Sequence, residues 1–170
     1  MTLSRVYGAR SPVGLGKSSS RAIDYLRAVY ILGGLPSKDF VKFSLLAKTL
    51  KVSPSTVSIM TRRLESKGLL EVAPNTGVRL TKKGLVLLSE FLWKAAIVEV
   101  LLQRAGIALE NCKNLGISVA VGISLEDAWR LYNALGRPER CPHNKPIIPP
   151  NKVNEDNAYE IANCCGIQIN

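Results

Sequence analysis

The sequence predicts a mainly α chain carrying one small β-hairpin, with a basic front half and a near-neutral helical back half. Three observations predict it. Apolar residues recur at spacings of three and four through most of the chain up to about position 135, the rhythm of helices with one buried face. One stretch breaks that rhythm: Leu69-Leu70-Glu71-Val72 and Val78-Arg79-Leu80 flank Pro74-Asn75-Thr76-Gly77, which reads as two short strands joined by a turn. Charge is also divided unevenly. Of the net +10, the part up to Gly84 carries 15 Lys and Arg against 4 Asp and Glu, while the remainder carries 8 against 9. Such a split suits a polyanion-binding module joined to one that binds itself or a ligand.

With 170 residues, 46% of them apolar, the chain can bury one or two cores without disulfides or a structural metal. No apolar run reaches the roughly 20 residues of a spanning helix. Arg5, Arg10 and Lys17 among Gly, Ser and Pro leave no hydrophobic signal core, so a cytoplasmic location without a membrane partner is expected. That compartment argues against disulfides among Cys112, Cys141, Cys164 and Cys165. A single histidine, His143, and the absence of GxGxxG, HExxH and GxSxG patterns argue against an enzyme. Gly14 to Ser18 resembles the end of a phosphate loop, but Ser11 stands where its opening glycine belongs.

Residues 1–19 lack periodicity and read as a flexible basic arm. After Ser20, residues Ala22, Ile23, Tyr25, Leu26, Val29 and Tyr30 mark an amphipathic helix that stops at Gly33-Gly34, and 36–42 reads as a loop. Ser44 is expected to cap a short helix with Leu46, Ala47 and Leu50 inward. Val52 closes the turn, and Ser53-Pro54 opens a second helix with a capping hydroxyl and proline at its first position. That helix should bury Val57, Met60 and Leu64, leaving Ser55, Ser58, Ile59, Arg62, Arg63 and Ser66 outside. Hydroxyls near one end and guanidinium groups farther along are the chemistry of a helix that reads the major groove. The hairpin follows directly, with Arg79, Lys82 and Lys83 beside it.

This order of three helices and a hairpin is that of a winged helix-turn-helix, expected over 20–84, with double-stranded DNA as its partner. Candidate DNA contacts are Lys42, Ser53, Ser55, Thr56, Ser58, Ile59, Arg62, Arg63, Arg79 and Lys82. Thr81 then caps a helix of some 25 residues with Leu85, Leu88, Leu92, Ala96, Glu99 and Leu102 on one side, long enough to suggest packing against a second copy. A helix from Leu109 to Val121 comes next. Ser124-Leu125-Glu126-Asp127 opens another that turns Leu125, Ala128, Trp129, Tyr132 and Leu135 inward and ends before Gly136. Residues 85–136 read as a helical dimerisation domain, and 137–170 as a proline-rich extension with a short helix around Ala158 to Cys164.

Several segments resemble the metal-dependent repressors of the diphtheria toxin repressor and manganese regulator family (DtxR/MntR). They are Asp24-Tyr25-Leu26-Arg27, the run Leu50 to Leu70 with Ser53, Thr56-Val57-Ser58 and Gly68-Leu69, Leu80-Thr81-x-x-Gly84, and Cys141-Pro142-His143-x-x-Pro146. The resemblance extends from about Arg21 to Pro149. It implies the two-domain kind of repressor, a homodimer placing the Ser53 to Lys67 helix of each copy in one half of a palindromic operator. Two such helices would stand roughly 34 Å, or one DNA turn, apart. By position, Ser53, Ser55 and Ser58 resemble the family's DNA contacts, with Ile59 in place of a polar side chain and suited to a thymine methyl.

The resemblance also implies a metal switch between the first helix and the dimerisation helices. Asp24 and Glu99 stand at matching ligand positions, but Ala95 replaces a histidine, and Lys113, Ile117, Ala120 and Val121 replace ligands on the next helix. Two carboxylates fall short of the roughly six donors that Mn2+ or Fe2+ take. The switch is therefore expected to be lost or altered, with no metal at the family's usual site. An alternative Zn2+ or iron–sulfur site could draw on Cys141, His143, Cys164 and Cys165. The competing functional reading is an architectural protein that coats double-stranded DNA without regard to sequence, which would show steep salt dependence and little sequence preference.

Overall fold

A computed structural model describes residues 19–153, with side chains from Arg21 onward. The expected basic arm, apart from Ser19, and the expected helix around Ala158 to Cys164 lie outside the described residues. The order of elements is α1 (Ser19–Ile31), α2 (Phe43–Leu50), α3 (Pro54–Ser66), β1 (Leu70–Ala73), β2 (Gly77–Leu80), α4 (Lys82–Arg104), α5 (Leu109–Ala120) and α6 (Leu125–Ala134), then a 3-10 turn, Pro150–Lys152. It is a winged helix-turn-helix followed by a helical region.

The first helix is buried over most of its circumference, from Ala22 to Tyr30, because α2, α3, α4 and β2 all pack against it. The next helix departs from expectation at its start. It begins at Phe43 with Lys42 in the capping position and no side-chain cap, so Ser44 lies inside the helix. The reason is tertiary: Val41 exchanges backbone hydrogen bonds with Val78 at 2.8 and 2.9 Å, and the chain turns helical directly after that bridge. Residues 36–42 therefore end as a third strand-like contact on the hairpin. Leu46 and Ala47 are buried as expected, and Lys51 closes α2 in a left-handed conformation, φ 53°.

Ser53 and Pro54 start α3 as read from the sequence, the Ser53 hydroxyl accepting from the Thr56 amide at 3.2 Å. Its inner face is Val57, Thr61 and Leu64, with Met60 only half-buried. Thr61 is tolerated there because its hydroxyl donates to the Val57 carbonyl at 2.9 Å. The hairpin pairs Leu70 with Leu80, Glu71 with Arg79, Val72 with Val78 and Ala73 with Gly77.

The Thr81 hydroxyl accepts from Gly84 N at 3.0 Å and donates to the Gly68 carbonyl at 2.6 Å, which caps α4 and ties it to the end of α3. Gly84 is required by this junction: a Cβ there would lie 2.0 Å from the Leu69 carbonyl oxygen. Over its middle turns α4 is buried on nearly every side, Phe91, Trp93, Ala95, Ile97, Val98 and Val100 joining the expected stripe. Its length thus follows largely from its own chain, since α1, α5 and α6 all pack on it. Trp129 and Tyr132 of α6 lie against Trp93, ring centroids 4.5 and 5.6 Å away, while the Arg104 guanidinium donates to the Leu135 carbonyl at 2.8 Å. α5 approaches α4 closely through Gly116, where a Cβ would stand 2.7 Å from Cγ of Glu99 and 3.0 Å from the Ala95 carbonyl oxygen.

Candidate nucleic-acid interface and metal cluster

The outer face of α3 is open. Ser53, Ser55, Thr56, Ile59, Arg62 and Arg63 are exposed and Ser58 is half-buried. Ile59 has 68% of its surface accessible, high for a large aliphatic side chain with no core to fill. At the helix start the three hydroxyls of Ser53, Ser55 and Thr56 are joined, Ser53 Oγ lying 2.8 Å from each of the other two. Together they form a small polar cluster on the exposed helix N-terminus, where donors face anions favourably.

The predicted basic residues do not all stand equally free. Lys42 and Lys82 are exposed. Arg79 is tied down: Nε and Nη2 donate to the two Glu71 carboxylate oxygens at 2.8 and 3.0 Å, and Nη1 donates to the Lys38 carbonyl at 3.0 Å. The guanidinium also covers the Phe40 ring, 4.4 Å from its centroid. Its immediate work is to brace the hairpin against the loop before α2. The sequence reading missed Phe40 and Glu71 in this role; their only signal is that Glu71 lies directly across the hairpin from Arg79. Lys83 likewise donates to the Lys67 carbonyl at 2.8 Å.

The predicted metal ligands sort into a new grouping. Asp24 is half-exposed on α1, with Arg27 3.9 Å away, and partial burial holds its carboxyl above the usual carboxylate range despite that cation. Asp24 is not part of any ligand cluster among the described residues. Glu99, by contrast, is fully buried, and its Oε2 lies 3.2 Å from Nδ1 of His143. Cys141 completes the group: ligand atoms of Glu99, Cys141 and His143 all lie within 4.8 Å of one another. Cys164 and Cys165 lie outside the described residues. Ala95 on α4 is buried, and Gly116 of α5 packs against its carbonyl oxygen and against Glu99.

Residues 17–78 match the iron dependent repressor N-terminal DNA binding domain, and residues 81–149 match the iron dependent repressor metal binding and dimerisation domain. The chain belongs to the iron-dependent repressor family. An uncharacterized HTH-type transcriptional regulator of Aeropyrum pernix is 58% identical over 150 residues, 88% of this chain and 83% of that protein. The HTH-type transcriptional regulator MntR of Geobacillus thermodenitrificans is 30% identical over 113 residues, 66% of this chain and 76% of that one. Among solved structures, ScaR with bound Zn2+ superposes with a TM-score of 0.66 at 28% identity, covering 78% of this chain and 61% of ScaR. This member of the family is a DNA-binding transcriptional regulator of the DtxR/MntR type, and its relatives are regulators rather than enzymes. Among the described residues no helix is long and apolar enough to cross a membrane.

Proposed function

We propose that this chain is a cytoplasmic repressor that binds a palindromic operator as a homodimer, each copy placing α3 in one major groove, with metal control altered from that of its relatives. The observation that carries the reading is the outer face of α3: a hydroxyl cluster at its start, a bare Ile59 and two exposed arginines, framed by the hairpin. Hydroxyls and guanidinium groups can fix register on phosphates, whereas Ile59 offers an apolar contact of the kind a thymine methyl accepts. On this reading 20–84 is the DNA-binding domain and 85–136 the dimerisation domain.

Self-association is supported by apolar surface at the far end of the molecule. Leu101, Ile107, Leu109, Leu115, Val119 and Val121 are all exposed around the α4–α5 corner and along α5, in the region that matches a dimerisation domain. Alteration of metal control is supported by Asp24 lying outside the group that Glu99 forms with Cys141 and His143. Selection of bound fragments from genomic DNA tests the proposal. Recovered fragments should share a twofold-symmetric motif bound at least about a thousandfold more tightly than random DNA at physiological salt. Equal affinity for all sequences with a steep salt dependence would replace it with the architectural reading.

A further inference from the structure

We infer that Glu71 and Arg79 are positioning residues for DNA binding: with Phe40 and the Lys38 carbonyl they form a clamp that sets how the hairpin stands beside α3, and neither side chain contacts DNA itself. The inference deepens the proposed function and rests on its reading of α3 and the hairpin as the DNA-binding face.

The Arg79 guanidinium is already engaged. Each of its three nitrogens donates within the chain, Nε and Nη2 to the two Glu71 oxygens at 2.8 and 3.0 Å and Nη1 to the Lys38 carbonyl at 3.0 Å, and Phe40 covers one face. To grip a phosphate, Arg79 would first have to give up a two-pronged carboxylate pair, whose bonds are roughly twice as strong as neutral ones. Lys42, Arg62, Arg63 and Lys82 bear no such cost: all four are exposed, and among the described residues none has an ion-pair partner. A lysine at position 79 could match neither the two carboxylate oxygens nor the ring, because both contacts need a planar fork.

The clamp sits where the hairpin is fastened to the rest of the domain. β2 meets the loop before α2 at three successive residues: Val78 exchanges backbone hydrogen bonds with Val41, Arg79 reaches Lys38 and Phe40, and Leu80 N donates to the Gly34 carbonyl at 2.8 Å. Gly77 lets the two runs close, since a Cβ there would stand 2.1 Å from the Val41 carbonyl oxygen. Among the described residues β1 pairs with β2 alone, so the grip of Glu71 on Arg79 carries the fastening across to the outer strand. On the other side the loop runs through Lys42 directly into α2. Glu71, Arg79 and Phe40 thereby join the outer strand of the hairpin to the start of the helix-turn-helix, which limits what must be ordered when DNA binds.

Charge and position predict opposite signs for one substitution. Glu71→Gln removes a negative charge from the basic half at a half-exposed side chain, which by charge alone should tighten DNA binding, though by less than about twofold once salt screens it. Loss of the clamp instead leaves the hairpin to be ordered on binding, which should weaken it about three- to tenfold. The test uses the full chain and two duplexes of equal length, a fragment that the parent chain recovers from genomic DNA and a random sequence. Affinity for both should fall in Glu71→Gln, because contacts of the hairpin to the backbone carry no sequence. Arg79→Lys keeps the charge and should fall as far as Arg79→Gln. Lys82→Gln is the contrast, lowering affinity and reducing the salt slope by about one as an ordinary phosphate contact would. At saturating protein, hydroxyl-radical footprints of Glu71→Gln and Arg79→Lys should lose protection at phosphates flanking the α3 groove while base protection inside it persists, a change that mere loss of stability would not produce. Circular dichroism at the assay temperature identifies the folded variants, and Phe40→Leu, which removes the ring contact at a half-buried position, should weaken binding in the same direction. Tighter binding by Glu71→Gln, parent affinity in Arg79→Lys, or an unaltered footprint would overturn the inference. A parent chain that binds the two duplexes equally sinks the operator reading alone, since the clamp is read on either duplex, and one that binds neither sinks both.

Discussion

Asp24 and Ile59 are each displayed where the interior gains little from them. For Asp24, burial outweighs the attraction of Arg27 and raises the folded-state pKa. A raised acid pKa means the folded chain holds the proton more tightly than the unfolded one. The associated stability is fully present below the unfolded value of about 4 and is lost as pH rises through the folded value. Asp24→Asn, which cannot ionise, should therefore match the parent near pH 3 to 4 and equal or exceed it at neutral pH. Because half of the side chain is in water, the gain should be at most a few tenths of a kcal/mol, read from urea melts at the two pH values. Ile59→Ala should change stability by less than about 0.5 kcal/mol, since the side chain is 68% accessible. The same variant should lose about 1 kcal/mol or more of discrimination at one operator base pair, measured with single-base operator variants. At this scale the sequence disclosed which residues carry chemistry but not which of them meet. Glu99 and His143 are 44 positions apart, and no local pattern joins them.

At the scale of elements, local chemistry set most of the starts. Ser53, Thr81 and Ser124 each cap the helix they precede, through bonds to Thr56 N, Gly84 N and Asp127 N. Ser44 fails as a cap because the strand bridge at Val41 ends one residue before Lys42, leaving the helix to start ahead of the serine. Junctions between elements are stricter than the elements themselves. Gly84→Ala would drive a methyl group into the Leu69 backbone, which cannot rotate away as a side chain could. It should cost about 1 to 3 kcal/mol in chemical denaturation and lower the melting temperature accordingly. An unchanged melt would show that the α3–α4 junction is softer than this geometry requires.

For the whole molecule, the exposed apolar side chains of α5 offer the decisive manipulation. Leu115 and Val119 are 43% and 46% accessible and one helical turn apart, so Leu115→Glu with Val119→Glu leaves the protomer's own core intact. Sedimentation should show that the double variant is monomeric, with operator affinity falling at least tenfold as the two half-sites are bound separately; a dimer that persists would place the interface elsewhere. What the sequence by itself determined was the succession of helices and hairpin, the basic character of the front half and the outward face of α3. These follow from hydrophobic period, capping residues and charge count, all properties of neighbours along the chain. Tertiary structure alone decided that Arg79 braces the hairpin, that α4 is surrounded by its own chain, and that Glu99 meets Cys141 and His143 instead of Asp24. Each of those depends on which distant surfaces come together, and burial then fixes how a charged or soft side chain must be satisfied.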